Sequence, residues 1–240
     1  MGIPDFKQVQ GVIDSLGDEK KSYMNQYFKY APDWIIEALY VQEFEENKVF
    51  IREGHGIHYV YFFLKGSVKA TDYRIHGAMY DFMWFVPVKV FGGLETILHD
   101  TTYKTTLTTT APSVMLVLPR NLYEKWLLSD VNALSMESNT VAHSLLKQTR
   151  RERVYLFLQG LDRMAYFLLH YYEQFQEDGK CEMKLTRQHM SDCTGLSIKT
   201  VNRSLVSLEE SGCISRRGNR ILISEIHYEE LKRYNEELIE

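Results

Sequence analysis

The sequence predicts an α+β protein built from an antiparallel β unit, one long helix and a C-terminal winged helix-turn-helix. Three observations support this fold class. Residues 41–118 carry short β-branched and aromatic runs separated by turn signals, and residues 130–158 contain neither glycine nor proline. Residues 185–223 carry two short helical patterns followed by a hairpin signal, which is typical of a winged helix-turn-helix.

Length and composition agree with a chain of about two domains. Its 240 residues are 45% hydrophobic and 25% charged, as expected of a protein that buries a core. The longest apolar runs fall far short of the ~20 residues that a membrane span requires, and the N-terminal residues lack the pattern of a signal peptide. We therefore expect a cytoplasmic protein that does not enter a membrane.

The β unit follows a short helix predicted over residues 33–40. From residue 41 to about residue 118 turn signals such as Glu53-Gly54, Lys65-Gly66 and His76-Gly77 punctuate the β-branched and aromatic runs, which predicts many short antiparallel strands. After Pro119 the pattern becomes helical again, with a short helix over residues 120–128 and a long one over residues 130–158.

The long helix carries a seven-residue repeat. Its positions are Leu134, Val141, Gln148 and Tyr155, with Ser138 and Leu145 on the alternate positions. Such a seam can pair with the same seam of a second copy, so Leu134, Val141 and Leu145 are predicted dimer contacts. The alternative is that the helix packs only on its own β unit, because several seam positions are polar.

The helix-turn-helix is predicted from its start and turn signals. Thr186 can cap a first helix that buries Met190 and Cys193, Gly195 allows a tight turn, and Ser197 can cap the second helix. Cys181, Cys193 and Cys213 fit neither a disulfide framework nor a metal-binding motif, so we expect buried thiols.

The second helix is predicted to have one apolar and one cationic face. Val201, Leu205 and Leu208 recur at positions that share one side of a helix, and we expect that side to face the core. The side chains turned outward are then Lys199, Asn202, Arg203 and Val206. Such a face can meet phosphates and base edges, although exposed cationic helices are often merely solvated.

The wing and the local charge favour DNA binding. Residues 213–223 alternate and break at Gly218-Asn219, which predicts a two-residue hairpin that carries Arg216, Arg217 and Arg220. Residues 184–220 contain seven basic and three acidic side chains, whereas the whole chain has a net charge of -4. A positive module inside an acidic chain is what phosphate neutralisation requires.

These segments resemble the DNA-binding domain of the CRP/FNR family (cyclic AMP receptor protein and fumarate-nitrate regulator). The matching runs are LTRQ at residues 185–188, GLSIKTVNR at 195–203 and LEESGCI at 208–214. Upstream, Gly54 and the run YFFLKGSV at residues 61–68 are similar to the start of the family's β-roll. The likeness covers most of the chain and is weakest over residues 1–26.

The resemblance implies an architecture and a function. Residues 1–128 would form a jelly-roll-like β-roll of the cyclic-nucleotide-binding type, residues 129–160 a dimerisation helix, and residues 161–240 the winged helix-turn-helix. The protein would bind a palindromic operator as a homodimer, with recognition helices about 34 Å apart. Its partners would be double-stranded DNA, a second copy, a small-molecule effector and, where it activates transcription, RNA polymerase.

The resemblance also implies which residues contact DNA. The bases would meet Ile198, Lys199, Asn202 and Arg203, with Val206 against thymine methyl groups. The backbone would meet Thr186, Arg187, Ser197, Thr200, Arg216 and Arg217. Many relatives carry glutamate where this chain has Lys199. A lysine cannot accept a hydrogen bond from cytosine, so we expect a different target sequence.

The effector pattern departs from that of the cyclic-nucleotide members. They carry Gly-Glu-Leu, whose Glu holds the ribose, and downstream Arg-Ser or Arg-Thr, whose Arg holds the phosphate. This chain has Gly92-Gly93-Leu94 and then Lys104, which can meet phosphate only as a point charge. We therefore expect an unknown effector other than cyclic AMP. The predicted pocket consists of Trp84, Gly92, Gly93, Leu94, Tyr103, Lys104, Thr105 and Thr106.

The cysteines, histidines and aromatic residues indicate which other ligands the β unit can hold. No cysteine precedes Cys181, which excludes the N-terminal cysteine cluster of the iron-sulfur members, whereas a haem ligand among His55, His58, His76 and His99 stays open. The density of aromatic residues near Lys104 favours an aromatic or apolar ligand with an acidic group.

The alternative from another class is a cupin-like metal-binding β-barrel enzyme fused to a DNA-binding domain. His55 and His58 lie in a β-rich segment, but their spacing is H-x-x-H and no third ligand follows closely. No nucleophile triad, phosphate-binding glycine loop or acid-base pair accompanies them. We therefore expect no catalysis and no metal site. The residues identify no certain cofactor, and the effector is an unknown small molecule.

Overall fold

A computed structural model describes residues 6–73 and 79–237. The chain forms two compact units, the first ending at Lys147 and the second beginning at Gln148. The predicted α+β organisation is confirmed, because helices flank antiparallel sheets in the first unit and a helix-turn-helix follows in the second. Within the described ranges, no helix has the length and hydropathy of a membrane span.

The first unit begins with three helices, α1 (Phe6–Asp14), α2 (Asp18–Tyr27) and α3 (Asp33–Ile36). The helix predicted over residues 33–40 is therefore shorter than expected. Tyr40 instead begins the first strand and pairs with Val117 across the sheet. Helical and extended backbone compete at this boundary, and strand pairing decides the outcome.

Two four-stranded antiparallel sheets form the body of the first unit, in the orders β1-β8-β3-β6 and β2-β7-β4-β5. The strands are β1 (Tyr40–Phe44), β2 (Val49–Ile51), β3 (Tyr59–Lys65), β4 (Val68–Tyr73), β5 (Met79–Phe85), β6 (Lys89–Phe91), β7 (Thr106–Thr109) and β8 (Ser113–Pro119). A one-and-a-half-turn helix, α4 (Gly93–Ile97), follows β6. The turn signal predicted at His76-Gly77 lies outside the described residues.

Strand β3 shows how the two sides of its sheet are used. Val60, Phe62 and Leu64 are buried against the helices, among them α5 (Arg120–Ser129). Phe63 lies on the other side, in an aromatic cluster between the sheets that includes Phe91. Alternate residues of a strand point to opposite faces, so this one strand supports two hydrophobic cores.

Helix α6 (Val131–Phe157) follows α5 and confirms the predicted long helix. It begins where Asp130 accepts hydrogen bonds from the amides of Asn132 and Ala133. The Asp130 carboxylate also accepts from the indole nitrogen of Trp126 at 2.8 Å. This aspartate therefore joins the end of α5 to the start of α6.

The second unit contains α7 (Gly160–Phe175), β9 (Lys180–Met183), α8 (Arg187–Thr194), α9 (Ile198–Glu210), β10 (Ser215–Arg217), β11 (Arg220–Ser224) and α10 (Glu225–Glu237). Helix α7 and strand β9 are additions to the predicted elements. The strand completes a three-stranded sheet in the order β10-β11-β9. Cys181, Cys193 and Cys213 are buried free thiols, as predicted.

Candidate nucleic-acid interface and effector region

Two capped helices and a glycine fix the turn between α8 and α9. The Thr186 hydroxyl accepts a hydrogen bond from the His189 amide at 3.1 Å, and the Ser197 hydroxyl accepts from the Thr200 amide at 3.1 Å. Gly195 adopts φ 69°, a left-handed conformation that side chains rarely tolerate. The predicted caps and turn are confirmed.

Helix α9 has the two faces that its sequence predicts. Val201, Leu205 and Leu208 are fully buried. The opposite side exposes Lys199, Asn202, Arg203 and Val206, with Ile198 at the start of the helix. Ile198 and Val206 keep 42% and 40% of their surface exposed. The exposed stripe therefore combines cationic, amide and apolar groups.

The cations of this region differ in how far they are already paired. Among the described residues, no ion pair involves Lys199, Arg203 or Arg217. By contrast, Arg216 is held by Glu209 and Arg220 by Glu182. The unpaired cations are those that can neutralise an external anion with the least rearrangement.

The Arg216–Glu209 pair attaches the wing to α9. The Arg216 guanidinium donates through Nε at 2.7 Å, and its backbone amide donates to the same carboxylate at 3.0 Å. These bonds lower the pKa of Glu209, so the carboxylate stays ionised at neutral pH. The DNA contact predicted for Arg216 stays a prediction, and the structure adds a positioning role within the protein.

The predicted phosphate-contacting residues lie at the starts of α8 and α9. The Arg187 guanidinium is half-buried against Met190, and both its burial and the nearby charge of Arg216 lower its pKa. The Ser197 and Thr200 hydroxyls lie 2.9 Å apart at the start of α9. The Thr200 amide already donates to the Ser197 hydroxyl, so the amides that precede it in α9 are the ones that can donate to an anion.

Arg163 on α7 is a structural residue that the sequence patterns do not indicate. Its guanidinium donates to the Leu158 carbonyl at 2.8 and 3.2 Å and to the Thr194 carbonyl at 3.2 Å. The contact with the Thr194 carbonyl lies at the C-terminal end of α8, where carbonyls lack helical partners. Arg163 therefore ties α7 to the turn that orients α9.

The predicted effector residues lie in different environments. Gly92 precedes α4 with φ 88°, Gly93 is buried, and Leu94 is 38% exposed. Trp84 is half-buried on β5. Gly92, Gly93 and Leu94 follow one another in the sequence, so they lie together at the start of α4.

The downstream members of the predicted pocket are mostly engaged within the protein. Tyr103 is buried and donates from its hydroxyl to the Tyr59 carbonyl at 2.6 Å, and Thr106 is buried and accepts from the Glu53 amide at 3.2 Å. Lys104 is exposed and pairs with Asp100 at 3.2 Å, and Thr105 is half-buried. Of this group, Lys104 is the most exposed.

A carboxylate that the sequence patterns do not indicate lies against Gly93. Glu137 on α6 is 1% exposed and accepts a hydrogen bond from the Tyr27 hydroxyl at 2.9 Å. A Cβ placed on Gly93 would overlap the Glu137 carboxylate and come within 3.1 Å of the Tyr123 hydroxyl. The glycine at position 93 therefore leaves the space in which the carboxylate lies.

We expect Gly93→Ala to destabilise the first unit by about 1 to 3 kcal/mol, because the added methyl group must displace a buried carboxylate. Urea unfolding followed by tryptophan fluorescence measures this. Gly11→Ala on α1 is the matched control, since its Cβ would meet nothing within 4 Å. Equal effects of the two substitutions would contradict the close packing at Gly93.

The predicted seam on α6 is exposed in the single chain. Leu134 and Leu145 keep 37% and 54% of their surface accessible, and Val141 is half-buried. Ser138 on the same side is exposed. The side chains of Gln148 and Tyr155, which continue the repeat, lie outside the described residues. The first half of the helix therefore presents an apolar stripe that its own unit leaves open.

A groove of about 460 Å³ runs beside α6 and does not include the predicted effector residues. It is lined by Tyr23, Lys89, Met136, Asn139, Thr140, His143 and Ser144. Its polar groups largely satisfy one another: the Tyr23 and Thr140 hydroxyls lie 3.0 Å apart, and Lys89 donates to Ser144 at 3.2 Å.

The histidines of the β unit do not form a metal site within the described ranges. His55 and His58 are exposed, and His99 pairs with Glu124 at 3.5 Å. No group of three or more potential protein ligands occurs there. His76 lies outside the described residues.

Two family models match the chain in the order that the fold requires. Residues 41–130 match a cyclic nucleotide-binding domain, and residues 162–234 match a Crp-like helix-turn-helix domain. Together they cover more than half of the chain. No curated protein sequence matches it.

Solved structures show the same fold at low sequence identity. FixK2 from Bradyrhizobium japonicum is 19% identical, with a TM-score of 0.67 over 82% of this chain and 97% of that one. The c-di-GMP responsive global regulator CLP from Xanthomonas campestris is 16% identical, with a TM-score of 0.67 over 85% and 98%. A CRP/FNR-family regulator from Thermus thermophilus is 21% identical, with a TM-score of 0.67 over 82% and 98%.

The fold, the capped helix-turn-helix and the two family models lead to one assignment. The chain belongs to the CRP/FNR family and is a transcription regulator of that type.

Proposed function

We propose that the protein is a homodimer that binds a palindromic DNA operator and responds to a small-molecule effector other than cyclic AMP. The observation that carries the DNA-binding part is the exposed stripe of α9. Lys199 and Arg203 form no ion pair among the described residues, and they lie opposite the buried face of a helix whose start is capped by Ser197. A rigid helix with free cations and an exposed amide is suited to a major groove.

Base reading is assigned to Ile198, Lys199, Asn202 and Arg203. Arginine can donate two parallel hydrogen bonds to guanine, and Asn202 can pair with adenine in the same way. Ile198 and Val206 are exposed enough to contact thymine methyl groups. The residues proposed to hold the backbone are Thr186, Arg187, Ser197, Thr200, Arg216 and Arg217, and of these Arg217 is exposed without an ion pair among the described residues.

The dimer is proposed to form along α6. Leu134, Val141 and Leu145 repeat on one side of the helix, and the single chain leaves Leu134 and Leu145 more than one third exposed. Pairing two such stripes removes apolar surface from water at about 25 cal/mol per Å². It also supplies the twofold symmetry that a palindromic site requires.

The effector is proposed to act on the first unit, around Gly92, Gly93 and Leu94. That unit matches the cyclic nucleotide-binding model, but the position of the ribose-binding Glu is Gly93 and Lys104 is paired with Asp100. A cyclic nucleotide would therefore lack a ribose acceptor at this position. The remaining proposed pocket residues are Trp84, Tyr103, Lys104, Thr105 and Thr106.

The proposed division of labour follows the predicted boundaries. Residues 1–128 would sense the effector, residues 129–160 would dimerise and residues 161–240 would bind DNA. Binding to a chromosomal operator would place the protein in the cytoplasm, where contact with RNA polymerase is a further proposed interaction. The effector would shift the population between two arrangements of the dimer.

The DNA-binding part is tested by titrating the purified protein with duplex DNA at several salt concentrations. We expect the logarithm of the affinity to fall linearly with the logarithm of the salt concentration, because phosphate contacts release counterions. Sedimentation of the same samples gives the number of chains per duplex. A salt-independent affinity, or one chain per specific site, would contradict the proposal.

Arg203→Ala should weaken binding to a specific duplex by about 1 to 3 kcal/mol and relax sequence preference at one base pair of each half-site. The loss reflects the missing bidentate contact to a base. Fluorescence anisotropy with specific and random duplexes measures both effects. Arg233→Ala is the control, because that arginine is on α10 and already pairs with Glu230. Equal loss on both duplexes would rule out base reading by Arg203.

Arg187→Ala should weaken specific and random duplexes alike. A phosphate contact carries no sequence information, so the affinity ratio of the two duplexes should stay constant. The slope of log affinity against log salt concentration should also become shallower by about 1, because one phosphate contact is lost. The same anisotropy series provides both numbers. A change in sequence preference without a change in slope would argue against a phosphate contact.

A further inference from the structure

The Glu137 carboxylate is the least expected group in the first unit. It is 1% exposed and lies against Tyr27 and Tyr123, which belong to the hydrophobic core between the helices and the sheet. A buried charge normally has a cationic partner, because removal from water is otherwise very unfavourable. Here a neutral hydroxyl donates to the carboxylate instead, that of Tyr27 at 2.9 Å, which in turn lies 3.0 Å from the Tyr123 hydroxyl.

The cluster joins four helices. Glu137 is on α6, Tyr27 on α2, Tyr123 on α5, and Gly93 begins α4. Since a Cβ at position 93 would overlap the carboxylate, α4 and α6 approach closely at this point. The protonation state of one side chain therefore acts on the contact between α6 and the rest of the first unit.

The groups that face Glu137 act on its charge in opposite directions. Burial disfavours the ionised form most strongly, and Glu95 on α4 adds a like charge. Hydrogen bonds from Tyr27 and Tyr123 and the charge of Lys89 on β6 favour the ionised form. Tyr23 on α2 also faces the cluster, and its own pKa is raised mainly by burial.

The balance leaves Glu137 able to titrate near neutrality. Its pKa is raised to about 7. Burial raises the pKa of Tyr27 and Tyr123 well above 10, so both hydroxyls stay protonated in this range. Glu137 is therefore the member of this cluster whose charge changes between pH 6 and 8.

A groove lies beside the segment of α6 that carries Glu137. Met136 and Thr140, its neighbours on α6, line the groove of about 460 Å³ that also contains Lys89. A shift of α6 toward this groove would solvate the charge and bring it closer to Lys89. Leu134 and Val141 lie only about 60° and 40° away around the helix axis, so such a shift would also move the dimer seam.

We propose that Glu137 is a proton-operated latch, in which the protonated side chain holds α6 against the first unit and ionisation releases it. The release of α6 within the first unit follows from the contacts of Glu137 with Tyr27 and Gly93. Its consequence for dimerisation rests on the proposed function, because it requires α6 to be the dimer helix. The proton would then be an effector in its own right.

The test uses the full chain and follows hydrogen exchange of the α6 amides at pH 6 and pH 8, corrected for the intrinsic pH dependence of exchange. We expect protection over residues 133–141 to fall about tenfold between these values in the wild-type protein. Glu137→Gln should keep the protection constant, since the amide fills the same space without a charge. Glu43→Gln, at an exposed position on β1, should behave like the wild type.

An infrared titration assigns the proton directly. The carbonyl band of a protonated carboxyl should be present at pH 6, disappear by pH 8.5 and be absent in Glu137→Gln. If that variant does not fold, Tyr27→Phe serves instead, because loss of a donor to the carboxylate should move the midpoint to higher pH. A band that does not titrate between pH 6 and 8, or equal protection changes in wild type and Glu137→Gln, would overturn the latch.

The dimer dissociation constant, measured in parallel, separates the two proposals. We expect it to rise about tenfold from pH 6 to pH 8 in the wild type and to stay constant in Glu137→Gln. A titrating band with pH-dependent protection in a protein that is monomeric throughout would refute the homodimer while leaving the latch within the first unit. A dimer whose dissociation constant does not change with pH would refute the coupling between Glu137 ionisation and dimerisation.

Discussion

Leu145→Asp should convert the protein from a dimer into a monomer and weaken operator binding by at least about 100-fold. Leu145 keeps 54% of its surface exposed in the single chain, on the same side of α6 as Leu134 and Val141. In a symmetric dimer each aspartate would enter an apolar seam near its own copy, and an unpaired buried charge is strongly destabilising. A monomer then loses the gain of two linked half-sites, which is about 10² to 10⁴ in affinity.

Sedimentation equilibrium and anisotropy with a palindromic duplex measure the two effects. Ser135→Asp is the matched control, because it adds the same charge to an exposed position of the same helix, about 80° away from Leu145 around the axis. We expect this variant to stay dimeric and to bind normally. Circular dichroism should show that both variants are folded. A dimeric Leu145→Asp protein with unchanged affinity would rule out this seam.

Glu137→Gln should remove a pH dependence of stability that amounts to about 2 to 3 kcal/mol between pH 5 and pH 8. The pKa of Glu137 is raised from 4.5 in the unfolded chain to about 7 in the folded protein, mainly by burial. A group whose pKa is raised by folding contributes stability that is fully present below pH 4.5. That contribution is lost as the pH rises through 7, so the first unit should become less stable toward alkaline pH.

Urea unfolding followed by tryptophan fluorescence measures this difference. All three tryptophans, Trp34, Trp84 and Trp126, lie in the first unit, so the signal reports on that unit alone. The pKa of Asp14 and of Glu209 is lowered in the folded chain, and their effects on stability therefore fall at more acidic pH. Parallel stability curves for the wild type and Glu137→Gln from pH 5 to pH 8 would contradict the assignment.

Local patterns predicted the helix-turn-helix well. Thr186 and Ser197 cap their helices, Gly195 forms the turn, and the buried side of α9 follows from spacing alone. Each of these features is decided within a few residues of the chain, because capping and helical periodicity are local properties. The wing hairpin, with its break at Gly218-Asn219, follows for the same reason.

Features that depend on distant partners were not predictable in this way. The burial of Glu137 depends on Tyr27, which precedes it by 110 residues, and on the absence of a side chain at Gly93. On the helical pattern alone, this glutamate is one polar residue among many. The pairing of Arg216 with Glu209 likewise requires the wing to fold back on α9, which spacing does not reveal. Strand order in the two sheets is non-local for the same reason.

Selection of bound duplexes from a random DNA library, using the purified protein over a range of salt concentrations, tests the central claim most directly. A homodimeric regulator with α9 as its recognition helix should enrich a palindrome whose half-site centres lie about 34 Å, one helical turn, apart. Arg203→Ala should enrich a less specific version of the same palindrome. No enrichment by the folded dimer at any salt concentration would mean that an effector is required for DNA binding. Enrichment of an asymmetric single site would contradict this account.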